Sequence, residues 1–361
     1  MKILLLASLT KNKSGNSFGG AEKSIINLAT WLSENTAHKI VLASVEGNEK
    51  TFKLGSKVKY IGYKIDYGNK IHTHLQILKN TKEVVIKEMP DFLISFWIHP
   101  LCYGFLTKSI KCKTIYSERN DPSLEYGTFT KMLRWYVLKK VDGVVFQTEK
   151  AKKYFNNKIK LKSRVIHNPV YINKNEYNYP IEFDNRIVNV GRLNSQKNQK
   201  LLIEAFGIIS EIFPEYHLEI YGDGPLRNTL QKKIECEGLE NKVKLMGAHK
   251  DVINKICGAR LFVLSSSYEG MPNALLEAMA IGLPSISSDC PCGGPREVID
   301  DGINGYLFKV NSTSSLVDVL KKALKTDPTT ISENAKNICE THSANMIFSK
   351  WLEYINELYE I

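Results

Sequence analysis

The stretch EGMPNALLEAMAIGLP, residues 269–284, predicts the loop and helix around which the second half of the chain folds. It follows the apolar run LFVL at 261–264, which has the length and composition of a buried strand. Pro272 suits the first position of a helix, because its missing N–H would be unpaired there in any case. Gly282 and Pro284 predict the end of that helix. The stretch therefore indicates a strand–loop–helix unit of an α/β protein.

Two carboxylates of this unit point to a ligand. Glu269 lies in the loop just before the predicted helix, and Glu277 lies about a turn inside it. The N–H groups and the dipole of a helix N-terminus suit a phosphate, and a carboxylate beside them suits hydroxyl groups. The spacing alone leaves a second interpretation open, in which Glu269 only caps the helix.

The same string resembles the donor-site motif of the retaining glycosyltransferases of the GT-B fold, the large group 1 family. That motif is two glutamates separated by seven residues, with Gly and Pro just after the first. The resemblance implies that Glu269 holds the hydroxyls of the transferred sugar and that Glu277 binds the ribose. It also implies a donor-binding segment that contains Glu269, Gly270, Met271, Pro272, Asn273, Ala274, Leu275 and Glu277.

A second motif, GRLNSQKN at 191–198, follows the predicted strand at 186–190. A glycine directly after a strand, followed by Arg192 and Lys197, suits a diphosphate, because Arg offers a planar fork of donors and Lys a mobile point charge. The family's G-R-L-x-x-x-K-N string matches residue for residue. The resemblance implies that Arg192 and Lys197 bind the donor phosphates.

The first half of the chain alternates apolar strands with helical stretches. Strands are predicted at 2–8, 40–44, 58–61, 92–97, 114–117 and 143–147, and helices at 71–87 and 130–140. This alternation predicts a parallel, doubly wound sheet, which binds ligands beyond the carboxyl ends of its strands. With the resemblance, it predicts a GT-B protein with two Rossmann-like domains facing across a cleft. Residues 1–170, with a returning helix at 342–361, would bind the acceptor, and residues 171–341 the donor.

The loop after the first strand ends at Gly19 and Gly20. It contains neither the dinucleotide fingerprint nor the P-loop motif. Adjacent glycines at a helix start allow close approach of an anion, although a plain tight turn explains them equally well. The resemblance implies that this loop contacts the donor pyrophosphate.

Two later strand ends of the first half are polar. His99 follows the strand at 92–97, and Glu118 lies in the string SERNDP after the strand at 114–117. Many relatives place a histidine at the second position, facing the transferred sugar. The resemblance therefore makes Glu118 a catalytic candidate beside Glu269. The alternative is a structural role in which Glu118 pairs with Arg119, and His99 is equally open to a structural role.

The positive charge is concentrated in the first half. The chain has a net charge of +11, but residues 1–170 hold 29 Lys and Arg against 13 Asp and Glu, a net +16, and the remainder carries −5. A basic helix at 131–140 includes Trp135 and Tyr136, and another basic stretch covers 150–164. Either could be an ordinary helix with a solvated face, but together they favour an anionic membrane surface as partner. No nucleic-acid-binding motif accompanies the charge, so nucleic acid is not expected.

Other features narrow the class of protein. The seven cysteines are scattered, which favours reduced thiols in a cytoplasmic protein. Cys290 and Cys292 form a pair without further ligands at zinc spacing, so no metal site is predicted. No apolar run approaches the roughly 18 residues needed to span a bilayer, and the run at 3–7 is too short for a signal peptide. A peripheral protein at the inner face of the cell membrane is expected.

The predicted reaction follows from the resemblance. It is transfer of a hexose or N-acetylhexosamine from a nucleotide-diphosphate sugar, with UDP favoured, to a lipid-linked or polysaccharide acceptor. The anomeric configuration would be retained, giving an α-linkage, and neither metal nor cofactor is expected. Front-face attack is the preferred mechanism, with a covalent glycosyl-enzyme as the alternative. The rival functions are an epimerase or phosphorylase of the same fold and a non-catalytic nucleotide-sugar-binding protein.

Overall fold

A computed structural model of the chain describes residues 1–9, 19–48, 52–124, 127–172 and 183–360, without the side chains of 128 and 129. The chain divides into two compact units, Met1–Pro169 with Asn345–Ile361, and Val170–Ala344. The predicted polar loop at 10–18 and the polar linker up to residue 180 lie largely outside the described residues. Among the described residues, no helix combines the length and the hydropathy needed to cross a bilayer.

The first unit contains a parallel sheet in the order β3-β2-β1-β4-β5-β6-β7. Its strands are β1 (Lys2–Ala7), β2 (Lys39–Ser44), β3 (Lys59–Gly62), β4 (Phe92–Ser95), β5 (Lys113–Ser117), β6 (Gly143–Phe146) and β7 (Ser163–Val165). Most of β1, β2 and β4 is buried, as expected for apolar strands covered on both faces. The direction of strand addition reverses between β1 and β4, which is where such sheets open a crevice for ligands.

The second unit repeats this topology with six parallel strands in the order β10-β9-β8-β11-β12-β13. They are β8 (Arg186–Val190), β9 (His217–Tyr221), β10 (Val243–Gly247), β11 (Leu261–Leu264), β12 (Ser285–Ser288) and β13 (Tyr306–Phe308). Here the order reverses between β8 and β11. The doubly wound α/β prediction is therefore confirmed in both units.

The helices connect successive strands and cover the sheets. In chain order they are α1 (Gly20–Asn35), α2 (Lys70–Glu88), α3 (Ile98–Leu106), α4 (Thr128–Lys140), α5 (Glu149–Lys153), α6 (Asn157–Leu161), α7 (Gln199–Ile212), α8 (Arg227–Cys236), α9 (Val252–Ile256), α10 (Asn273–Ala280), α11 (Thr313–Lys325), α12 (Thr329–Ala335), α13 (Ile338–Thr341) and α14 (Ala344–Glu360). A short 3₁₀ turn covers Pro295–Glu297. Helix α14 packs on the first unit, where the Tyr354 hydroxyl donates to the carbonyl of Lys162 (2.7 Å) and accepts from the N–H of Val144 (3.1 Å).

Two element boundaries differ from the predictions. Strand β4 ends at Ser95 instead of continuing to residue 97, because the Ser95 hydroxyl accepts the N–H of Trp97 and turns the chain into α3. Helix α10 begins at Asn273, so Pro272 is its N-cap, in an extended conformation, and not its first residue. Gly282, with φ of +76°, ends that helix as the sequence predicts.

Candidate functional site

The motifs of the second unit meet at the point where its strand order reverses. The loop at 191–198 follows β8 and the loop at 265–272 follows β11, and these strands are neighbours in the sheet. The two loops are tied together by their backbones, since the N–H of Ser267 donates to the carbonyl of Gln196 (2.8 Å). The Ser265 hydroxyl donates to the carbonyl of Lys197 (2.9 Å). Sheet topology thus brings the predicted phosphate-binding and sugar-binding segments to one place.

The centre of this site is an ion pair between Lys197 and Glu269, with 2.5 Å between Nζ and Oε1. The same carboxylate accepts a hydrogen bond from the Ser266 hydroxyl (2.7 Å) and a long one from Gln196 Nε2 (3.5 Å). Gln196 also donates to the carbonyl of Tyr268 (3.1 Å). Glu269 is only 7% exposed. The loop carboxylate is therefore fixed in one orientation by three side chains, two of which the sequence did not single out.

Arg192 is in the opposite situation. Its side chain is exposed, and within the described residues it has no hydrogen-bond or ion-pair partner. A guanidinium that the protein leaves unpaired beside a fixed lysine is available to an anion from outside. Both predicted cations therefore lie in one loop. Lys197 is paired with Glu269, and Arg192 is exposed to solvent.

Two glycines allow the loops to approach this closely. A Cβ on Gly191 would lie 3.2 Å from Cδ of Lys197, so the lysine stem packs directly against the glycine. A Cβ on Gly294 would lie 1.6 Å from the carbonyl oxygen of Gly270, a distance that no side chain tolerates. Gly294 belongs to the string CGGPRE at 292–297. Its role, supporting the loop of Glu269 from behind, is visible only in the structure.

The remaining residues of the predicted donor segment divide by burial. Met271 and Leu275 are 5% and 0% exposed, and their side chains belong to the apolar core under α10. Asn273, Ala274 and Glu277 are half-buried, within the first two turns of the helix. Of the predicted donor segment beyond Glu269, these three side chains are therefore the ones that a ligand could reach.

In the first unit, Gly19 and Gly20 lie at the N-terminus of α1 as predicted from the sequence. A Cβ on Gly19 would lie 2.7 Å from Oε2 of Glu22, because that carboxylate turns back over the helix end. Burial raises the pKa of Glu22. An anion at this helix end would meet the Glu22 carboxyl group, which the sequence did not indicate.

Glu118 does not have the environment predicted for a catalytic carboxylate. Its side chain is fully buried and pairs with the equally buried Arg134, with 3.4 Å between Oε2 and Nη1. Arg134 also donates to the carbonyl of Pro122 (2.9 Å). Arg119, the partner predicted from the sequence, lies over the ring of Phe96, 4.4 Å from its centroid, and donates to Asn168 Oδ1 (2.5 Å). The burial and the pair with Arg134 favour a structural role for Glu118, and its catalytic role stays a prediction.

A cavity of about 640 Å³ lies beyond the carboxyl ends of β1, β2 and β4. Its walls include polar and aromatic side chains: Ser8, Glu22, Glu46, Tyr67, His74, Trp97 and His99. The Nδ1 atom of His99 is buried without a hydrogen-bond partner in the described part of the chain. Burial, and secondarily His74, lowers the pKa of His99 and favours the neutral ring. Of these residues, the sequence had indicated His99 alone.

The cysteine pair does not form a metal site among the described residues, which contain no cluster of three or more His, Cys, Asp or Glu side chains suited to a metal. Cys290 and Cys292 are both buried. Burial raises the pKa of Cys290 to about 12, so its thiol stays protonated. It packs instead against the Ser266 carbonyl, directly behind the loop of Glu269.

Comparison with known proteins gives a family and a fold. Residues 174–338 match the family model for glycosyl transferases group 1. An uncharacterized glycosyltransferase of Methanocaldococcus jannaschii is 33% identical over 249 residues, which are 64% of this chain and 61% of that protein. An undecaprenol-diphosphate-linked saccharide α-1,4-N-acetylgalactosaminyltransferase of Campylobacter jejuni is 24% identical over 94% of this chain and 96% of its own.

The similarity to solved structures covers nearly the whole chain. The crystal structure of HepE from Anabaena, in complex with UDP and glucose, has a TM-score of 0.81 at 18% identity and covers 99% of this chain and 100% of that one. At this identity the likeness shows the fold alone. It confirms the GT-B fold that the sequence predicts.

Proposed function

We propose a specific glycosyl transfer for this chain, because residues 174–338, most of its second unit, match the family model for glycosyl transferases group 1. The donor is a nucleotide-diphosphate sugar, preferably a UDP-hexose or UDP-N-acetylhexosamine. The acceptor is lipid-linked or a growing saccharide, and the product is an α-glycoside. This proposal rests on the position of Arg192, Lys197 and Glu269. They lie in the two loops at the point where the strand order reverses between β8 and β11.

The cations of this site fit a leaving diphosphate. Charge develops on the departing phosphate in the transition state, and preorganised donors aimed at that charge are the largest catalytic contribution in reactions of this kind. Arg192 is exposed and has no side-chain partner among the described residues, Lys197 is held 2.5 Å from Glu269, and the N-terminus of α10 opens beside the same loop. These groups together supply positive potential without a metal ion, and we propose that none is required.

The position of Glu269 fits the sugar side of the same bond. Its contact with Lys197 places the carboxylate at the border between the phosphates and the sugar, where it would bind sugar hydroxyls. Both of its carboxylate oxygens are already engaged, Oε1 by Lys197 and Ser266 and Oε2 by Gln196, which disfavours Glu269 as a nucleophile. We therefore propose front-face attack. The acceptor hydroxyl bonds to the anomeric carbon as the bond to the donor phosphate breaks, and the departing phosphate oxygen takes the acceptor proton.

The acceptor and the place of action are proposed from the relatives. The Campylobacter jejuni enzyme named above acts on an undecaprenol-diphosphate-linked saccharide. The excess of Lys and Arg in residues 1–170 suits a peripheral protein at the cytoplasmic leaflet, where such acceptors present their sugars.

The test is a transfer assay with a panel of UDP- and GDP-sugars, a short lipid-linked acceptor and EDTA in the buffer. We expect UDP release that depends on acceptor, and a product whose anomeric proton is that of an α-glycoside. An absolute requirement for Mg²⁺ or Mn²⁺ would contradict the metal-free site. Conversion of the donor without acceptor would favour the epimerase, and thermal stabilisation by UDP-sugars without turnover would favour the non-catalytic binding protein.

A further inference from the structure

Helix α2 has an apolar stripe on the side that faces away from the sheet. Ile71, Leu75 and Ile86 are 73%, 58% and 54% exposed, and Met89, which ends the helix, is 77% exposed. Leu75, Ile86 and Met89 follow Ile71 by 4, 15 and 18 residues. At 3.6 residues per turn, all four side chains therefore lie on one face of the helix. The face that packs against the sheet is formed by other residues, including Ile77, Thr81, Val84 and Val85. The helix is therefore apolar on two sides, and only one of them is covered.

Cations accompany the outer stripe. Lys79 and Lys82 lie along it, and Lys70 and Lys87 lie near the two ends of the helix, all four exposed. Of the two acids of α2, Glu88 is buried and paired with Lys59 (2.7 Å) and Lys2 (3.8 Å), and only Glu83 is exposed, so the exposed charges of the helix remain four lysines against one carboxylate. An apolar stripe bordered by lysines is the pattern of a helix that lies in the interface of a membrane.

The basic helix at 131–140, one of the two stretches that the sequence favoured as a membrane contact, has fewer exposed apolar residues. Arg134 is fully buried in the ion pair with Glu118, and Val137 and Leu138 are buried as well. The aromatic rings of Trp135 and Tyr136 are half-buried. Among the described side chains of α4, Met132 alone is a mostly exposed large apolar residue, at 65%, so the helix presents no apolar stripe there.

We propose that the outer face of α2 is the surface by which this protein docks on an anionic lipid bilayer. Charge complementarity selects the lipid over other partners, since this face is basic within a unit of strong positive charge. Tyr67, Lys70, Thr73 and His74, at the start of α2, also line the cavity of the first unit. Docking would therefore bring the mouth of the cavity to the lipid surface, where a lipid-linked acceptor lies. This last step rests on the proposed glycosyl transfer.

The test is sedimentation with phosphatidylcholine vesicles prepared with and without phosphatidylglycerol. We expect Ile71→Ser with Leu75→Ser to weaken binding to the anionic vesicles about tenfold or more, because the residues bury their side chains on docking. The matched control is Leu161→Ser, which replaces an 83% exposed leucine on α6 and should leave binding unchanged. Lys79→Gln and Lys82→Gln should each cost about fivefold at low salt and nothing at high salt.

The outcomes separate the two proposals. Wild-type vesicle binding by the Ile71→Ser, Leu75→Ser variant would overturn the docking surface, even if transfer to a soluble acceptor is normal. Binding that ignores lipid charge would overturn it too. A change in oligomeric state for that variant, measured by sedimentation velocity, would assign the stripe to a second copy of the chain instead. Normal vesicle binding without any glycosyl transfer would leave the docking surface standing and refute the proposed reaction.

Discussion

Replacing Arg134 with methionine would leave the Glu118 carboxylate buried without its cation. Both side chains are 0% exposed, so no water replaces the lost partner. Methionine keeps most of the apolar contact with the ring of Phe155, over which the guanidinium lies at 5.3 Å. The change therefore removes charge and hydrogen bonds rather than packing. The loss of stability therefore measures how much the ion pair between Arg134 and Glu118 stabilises the first unit.

The expected loss is about 3–5 kcal/mol, the usual result of removing one partner from a buried ion pair. The Pro122 carbonyl, which accepts from Arg134 at 2.9 Å, loses a donor as well. Since whole domains are stable by only about 5–15 kcal/mol, this is a large fraction. In a unit of this size it corresponds to a melting temperature lower by about 6–20 °C.

The four tryptophans of the chain make this measurement selective. They are Trp31, Trp97, Trp135 and Trp351, all within the first unit, so their fluorescence follows the unfolding of that unit. Glu118→Gln should destabilise similarly, because it leaves a buried guanidinium. The double variant should be less destabilised than the sum of the two changes, since each removes the charge that the other leaves uncompensated. UDP binding, measured by calorimetry, should remain that of the wild type.

A different result would support the catalytic role predicted for Glu118. If Glu118→Gln unfolds like the wild type but lowers kcat by two or more orders of magnitude, the carboxylate acts on substrate. Additive effects in the double variant would likewise show that the two side chains do not depend on each other.

Four further changes test the second unit. Arg192→Ala should weaken UDP binding by about 1.5–3 kcal/mol without lowering stability, and unchanged calorimetric affinity would refute the phosphate contact. Gly294→Ala should lower both melting temperature and donor affinity, whereas Gly207→Ala, where a Cβ meets nothing closer than 3.6 Å, should lower neither. Glu277→Ala should mainly raise the KM for donor, and Glu269→Ala should mainly lower kcat; steady-state kinetics showing the same change in both would mean that the roles are assigned wrongly.

The sequence was sufficient for the fold because its signals are local. Apolar runs of four to six residues ended by Gly, Pro or Ser predict buried strands, and every strand predicted in this way is found, with ends shifted by a few residues. Strands β7, β12 and β13 and helix α3 are among the elements that were not predicted. Strand β7 has only three residues, and helix α3 begins after only two residues, Phe96 and Trp97, so no turn signal separates it from β4.

The pairing of side chains could not be predicted from local sequence patterns. Lys197 and Glu269 are 72 residues apart, and they meet only because β8 and β11 are neighbours in the sheet. For Glu118, adjacency in sequence did not reveal the pair with Arg134, which is 16 residues away. The N–H of Glu118 donates to Val145 and continues the sheet ladder, so the chain is still extended there. Successive side chains of an extended chain point to opposite sides, which sends Glu118 inward and Arg119 elsewhere.

The same sheet topology occurs twice in this chain, and the two crevices differ in electrostatics. At the crevice of the second unit, an arginine without a side-chain partner among the described residues lies beside a helix N-terminus, which suits a diphosphate. At that of the first unit, the carboxyl groups of Glu22 and Glu46 accompany imidazole and indole rings. Carboxylates repel phosphate but accept hydrogen bonds from hydroxyls, and flat rings pack against sugar faces. This contrast supports the proposed division, in which the second unit binds the donor diphosphate, the first binds a neutral acceptor sugar, and the surface cations of the first are left for the lipid phosphates of the proposed docking surface.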